Sequence, residues 1–154
     1  MATYYLDSSA LIKRYIQEPG SGWVRGLLSS NTDHVWLTAR ITMVEFHSAL
    51  ARRRREGTVP ATACDIARQA FDAHSATEYD FVELHLEVIQ LAQDLLDRHP
   101  LRAYDAVQLA SALFANRALA ARSLSALIFI SADDRLNLVA EAEGLATDNP
   151  HLHL

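Results

Sequence analysis

The chain has 154 residues, half of them hydrophobic and 21% charged. This is the composition and size of one globular domain that can close a core, and it excludes a disordered or low-complexity protein. A net charge of −5 argues against a protein that coats nucleic acid by charge alone, since that mode needs many Lys and Arg to replace counterions. No apolar run approaches the ~20 residues of a membrane span and no basic leader precedes the first strand, so a soluble, cytoplasmic protein is expected. The single cysteine, Cys64, has no partner for a disulfide or a zinc site and is read as a core residue.

Tyr4 to Leu6 read as a short buried strand, and Ala10, Leu11, Ile12 and Tyr15 begin a helical pattern. Asp7 therefore falls at the strand's carboxyl end, the edge where open parallel α/β sheets hold their ligands. Helix capping by Asp7, Ser8 or Ser9 explains the local pattern equally well. Glu18-Pro19-Gly20-Ser21-Gly22 is a turn, followed by a short helix through Trp23, Val24, Leu27 and Leu28. Val35 to Thr38 read as a second strand, and about Arg40 to Glu56 as a helix stopped by Gly57.

In that helix Ile41, Glu45 and Ala49 are spaced by four with Val44 beside them, which sets an acid on an apolar stripe. Arg52, Arg53, Arg54 and Arg55 crowd its last turn. They oppose the negative end of the helix dipole, and they are also the only dense cationic cluster available to phosphates. A further helix spans Val59 to about Ala76, with Ile66, Ala70 and Phe71 as candidate core positions. A third strand is expected at Phe81 to Leu84 and a helix at Leu86 to Leu96, broken by His99-Pro100-Leu101.

Arg102 to Leu113 form an Ala- and Leu-rich helix in which Asp105, Leu109 and Leu113 share a stripe. Leu127 to Ile130 are the clearest strand, a continuous apolar run suited to burial on both faces. Ser131-Ala132-Asp133-Asp134 and another helix follow, repeating the strand, acid, helix order seen at Asp7. Leu145 to Thr147 add a short last strand. The seven histidines are scattered without ligand spacing, and His151 and His153 fall at an end expected to be frayed.

Alternating strands and helices imply an α/β three-layer sandwich, with a central, mainly parallel sheet of four to five short strands flanked by helices. Residues 1–150 make one domain and 151–154 a short tail. In this architecture Asp7 and Asp133 can meet at one sheet edge, with Glu45 and Asp105 brought in by their helices. Four carboxylates in one cleft repel unless a cation offsets them, and an all-oxygen donor set without His or Cys points to Mg2+ or Mn2+. Such ions serve phosphodiester hydrolysis.

The ordered set Tyr5-Leu6-Asp7-Ser8-Ser9-Ala10-Leu11-Ile12-Lys13-Arg14-Tyr15, Glu45, Tyr104-Asp105-Ala106 and Ile130-Ser131-Ala132-Asp133 resembles the PIN-domain family. It is most similar to the small VapC-type toxin ribonucleases, over nearly the whole chain. The resemblance implies a metal-dependent endoribonuclease, with Asp7, Glu45, Asp105 and Asp133 as the metal-binding catalytic acids. It also implies a homodimer and a cognate antitoxin that blocks the site. Ser131 matches the family's hydroxyl position near the fourth acid, and Ser8 is auxiliary, as a helix cap or a bond to a water. Asp134 adjoins Asp133 and competes with it for the fourth place.

Two other readings stand beside this one. A Mg2+-binding phosphoacceptor or signalling module wants an acid pair at the first strand and a late lysine, whereas Asp7 is followed by serines and Lys13 is the sole lysine. A catalytically inactive binding domain of the same fold is disfavoured by the complete set of four acids.

Overall fold

The computed structural model describes residues 1–30 and 33–154. Five strands, β1 (Thr3–Leu6), β2 (Val35–Ala39), β3 (Tyr79–Val82), β4 (Ile128–Ile130) and β5 (Ala146–Asp148), form one sheet in the order β3-β2-β1-β4-β5. All four pairings are parallel. The helices are α1 (Ser8–Leu11), α2 (Ser21–Ser29), α3 (Thr42–Glu56), α4 (Ala61–Thr77), α5 (Leu86–Arg98), α6 (Ala103–Ala121) and α7 (Asp134–Ala142). No helix among the described residues is long and apolar enough to cross a membrane.

Side-chain alternation along the short strands divides the core in two. Tyr5 and Phe129, register neighbours stacked at 5.5 Å, face a cluster that includes Val88 and Leu95 of α5, Leu109 of α6 and Leu136 of α7. Leu6 and Ile130 point the other way, into a cluster with Leu11, Val24, Phe46 and Phe71 from α1 to α4. The result is the expected three layers. Phe46 and Phe71 stack at 4.0 Å with no exposed surface, each ring contributing roughly 1.5–3 kcal/mol by burial.

Several boundaries differ from expectation. The third strand begins two residues earlier than expected and ends at Val82, because Tyr79 is buried directly at the end of α4 while Glu83 leaves the ladder to pair with Arg40. On α4 the core face is Cys64, Ala67 and Phe71, and Ile66 is 68% exposed. On α3 it is Thr42, Phe46 and Leu50, one position round from the expected stripe, so Val44 is 69% exposed and Glu45 half-buried at the border. The helix after Asp7 is a single α-turn that tightens into a 3-10 turn at Ile12–Arg14. The α6 helix runs on to Ala121.

The chain end is structured rather than frayed. Pro150–Leu152 form a 3-10 turn capped by Asn149, and His153 stacks on Trp23 at 4.2 Å while contacting Asp148 at 2.7 Å. Gly20, with φ +86°, allows this return, since a Cβ there would stand 2.5 Å from the Pro150 carbonyl oxygen.

Candidate active site

The strand order places β1 beside both β2 and β4, so the chain's two directions of winding diverge between β1 and β4. A crevice opens at the carboxyl ends of the strands at such a point. Leu6 is in register with Ile130, and the Asp7 amide continues the ladder by donating to the Ile130 carbonyl at 3.1 Å. Asp7 and Ser131 are thereby neighbours, although 124 positions separate them in sequence.

Capping and site placement prove compatible for Asp7. Its Oδ1 accepts from the Ala10 amide at 2.9 Å and from Ser9 Oγ at 2.6 Å, and its Oδ2 accepts from Ser131 Oγ at 2.7 Å. The residue is 4% exposed. Burial pushes its carboxyl up to about 6, and Glu45 adds to the rise, while the bonds from Ser131, Ser9 and Ala10 restrain it.

Glu45 enters from the first turn of α3, where its two oxygens are held separately. Ser8 Oγ donates to Oε2 at 2.6 Å, and Gln108 Nε2 donates to Oε1 at 3.0 Å. Asp105, in the first turn of α6, is half-buried. Its carboxyl is pushed up to about 6 by burial and then by the charges of Asp133 and Glu45, with Arg102 opposing. Asp133 caps α7, accepting from the amides of Arg135 and Leu136, and its own amide donates to Ser131 Oγ at 3.1 Å.

The Glu45 charge acts on both Asp7 and Asp105, and the Asp133 charge acts on Asp105. Among the described residues no group of three or more His, Cys, Asp or Glu side chains is drawn together tightly enough to hold a metal ion as it stands. The donor chemistry nonetheless fits one: the set consists of oxygen ligands only, and burial and mutual repulsion raise the protonation of two of them.

Asp134 is directed elsewhere. It is exposed, and its Oδ1 accepts from Asn149 Nδ2 at 2.6 Å, which ties α7 to the chain end. Ser131 holds the Asp7 carboxylate itself, and Ser8 holds Glu45. Ser9, read from sequence only as a candidate helix cap, is as central as either. It donates to Asp7 and accepts from the Ala132 amide at 3.0 Å, bridging the two strand ends.

A cleft of about 710 Å3 runs from Ser8, Ser9 and Glu45 along α3 to Arg52 and Arg53. Lys13 and Glu18 form part of its wall. Lys13 is 3% exposed, and its Nζ donates to Glu18 Oε2 at 3.2 Å. Arg53 donates to Glu18 Oε1 from Nε at 3.1 Å and from Nη2 at 2.5 Å. Burial raises the Glu18 carboxyl, but Arg53 and Lys13 outweigh it and hold the group below its ordinary range. Of the arginine run, Arg53 is therefore committed to this ion pair, Arg54 stands 3.7 Å from Asp65, and Arg52 lines the cleft.

A family model described as "PIN domain" matches residues 4–142. A search of curated proteins returned no match. Among solved structures, a toxin-antitoxin complex from Klebsiella pneumoniae contains a chain 13% identical with a TM-score of 0.56, covering 96% of this chain and 97% of that one. FitAcB from Neisseria gonorrhoeae is 15% identical with a TM-score of 0.60, at 98% and 99% coverage. FitAB bound to an IR36 DNA fragment is 14% identical with a TM-score of 0.65, at 98% and 96% coverage. At these identities the likeness is one of fold.

Proposed function

Because the chain belongs to the PIN-domain family, we propose that it is a divalent-metal-dependent endoribonuclease and the toxin of a type II toxin-antitoxin pair. The observation that supports the reading is the position of Asp7 just past β1 and of Asp133 just past the neighbouring β4, with Glu45 and Asp105 in the first turns of α3 and α6. The structural neighbour from Klebsiella pneumoniae described as a toxin-antitoxin complex adds the antitoxin partner to this reading. The active unit is a homodimer.

Asp7, Glu45, Asp105 and Asp133 would hold Mg2+ or Mn2+. When bound, the ion supplies positive charge against the scissile phosphate and acidifies a coordinated water. The chain's own part is positional. Ser9 and Ser131 fix both oxygens of Asp7, while Ser8 and Gln108 fix those of Glu45. Asp105 and Asp133 close the other side, with Arg102 near enough to temper their charge. RNA phosphates follow the cleft toward Arg52, with Arg53, Arg54 and Arg55 adding cationic field around it, a local attraction on a molecule of net negative charge.

Incubation of the purified protein with a mixed cellular RNA pool tests the proposal. Cleavage with Mg2+ or Mn2+ that stops on chelation is expected. Intact RNA under every metal, from protein shown to be free of a copurified partner, overturns the nuclease assignment.

A further inference from the structure

Behind Glu45 lies a buried chain of hydrogen bonds whose donors and acceptors can be assigned without ambiguity. Thr38 Oγ1 donates to the Leu6 carbonyl at 2.8 Å. Its single proton is then spent, so in the 2.8 Å contact with Thr42 Oγ1 the donor must be Thr42. Thr42 in turn has no proton left for Gln108 and must accept from Gln108 Nε2, also at 2.8 Å. Glu45 as a carboxylate only accepts, so the same NH2 group faces its Oε1 at 3.0 Å. This fixes the Gln108 amide with Oε1 toward Tyr5, whose hydroxyl donates at 2.7 Å.

Tyr5 can only serve as that donor. Its side chain has no exposed surface, and the amide oxygen it faces can only accept. Gln108 is 1% exposed in the middle of an otherwise apolar helix. Burying an amide there is costly unless all its groups are satisfied, and all of them are. A Leu or Met would fill the space without that cost, so the polar group requires a reason.

We propose that Gln108 is a positioning residue for the metal-binding set. Together with Thr42, Thr38 and Tyr5 it locks the Glu45 carboxylate to the backbone of β1 at Leu6, the residue immediately before Asp7. The Leu6 carbonyl at one end of the chain and Glu45 at the other belong to different elements, β1 and α3. The amide therefore sets the relative placement of the first two acids, while Ser8 holds the opposite Glu45 oxygen from outside. A carboxylate held at both oxygens loses little freedom when it binds a cation, whereas one held by Ser8 alone must be ordered first. This inference rests on the proposed metal-binding role of the four acids.

The test is calorimetric titration of Mn2+ into wild type, Gln108→Met and Tyr5→Phe, each with its metal-free melting curve recorded. Gln108→Met keeps the volume and deletes all three bonds; Tyr5→Phe keeps the ring stacked on Phe129 and deletes only the hydroxyl that orients the amide. The expected result is a Mn2+ affinity about tenfold weaker in Gln108→Met and roughly two- to threefold weaker in Tyr5→Phe. Folded variants that bind Mn2+ as tightly as wild type, whatever their melting temperatures, overturn the positioning role and leave the metal site standing. If Gln108→Met does not fold, unchanged affinity in Tyr5→Phe overturns it equally. Wild type that binds neither Mn2+ nor Mg2+ overturns the metal reading and the positioning role together.

Discussion

Asp7→Asn is expected to make the metal-free protein more stable while removing its activity. In the folded state the Asp7 carboxyl sits at about 6 against an ordinary 3.8, with burial the chief cause. The folded protein therefore holds that proton more tightly than the unfolded chain does. The resulting destabilisation is absent below pH 3.8, grows between there and 6, and is fully present at neutral pH. A shift of this size corresponds to about 3 kcal/mol as an upper bound. Asparagine keeps one acceptor for Ser9 and Ala10 and can donate to Ser131, at some loss of bond quality. A net gain of about 1–2 kcal/mol at pH 7.5 is expected, seen as a rise of roughly 2–4 °C in melting temperature per kcal/mol. RNA cleavage by the same variant should fall roughly 10²–10³-fold. A variant less stable than wild type at pH 7.5 would show that the Asp7 hydrogen bonds, not its charge, dominate locally.

The second large effect concerns the cleft wall. Glu18→Ala leaves Lys13 buried without the carboxylate that its Nζ contacts. Breaking a buried pair costs more than never having had it, and with Glu18 itself one-fifth exposed the expected loss is about 2–4 kcal/mol. Lys13→Met removes the buried cation instead and should fall within about 1 kcal/mol of wild type, since Glu18 keeps Arg53. The sign with pH is opposite to that of Asp7: Glu18 is held below its ordinary range, so its contribution is present above about 4.5 and is lost as the pH falls further. Chemical denaturation at pH 7 of the two variants side by side measures the asymmetry; equal losses would mean that packing of the Lys13 stem outweighs its charge.

The asymmetry between what could be read from sequence and what could not has a physical origin. Asp7 and the Ser131 to Asp133 turn were legible because a strand, an acid and a helix start are adjacent in sequence, and parallel pairing then aligns their ends. Asp105 was legible because its stripe is buried as expected. The phase of α3 was misjudged by one residue because Thr42, a hydroxyl, occupies a core position there and satisfies itself through Thr38 and Gln108. Gln108 lay three residues beyond Asp105 in an apolar helix, which was the available signal. Its partners Tyr5 and Glu45 lie 103 and 63 positions away, and only the tertiary fold brings them together. The same applies to the histidine-bearing chain end, where Gly20 and Trp23 provide a seat that its own sequence does not announce.

In the proposed nuclease Asp7, Glu45, Asp105 and Asp133 act as one cation site while Asp134, held by Asn149, stands outside it. The most direct measurement is the rise in melting temperature on adding Mn2+ at neutral pH to wild type, Asp7→Asn, Glu45→Gln, Asp105→Asn, Asp133→Asn and Asp134→Asn. Binding to the folded state alone raises stability by mass action. A clear rise is expected for wild type and Asp134→Asn, and little or none for the other four. A rise retained by those four variants, or lost in Asp134→Asn, would contradict it.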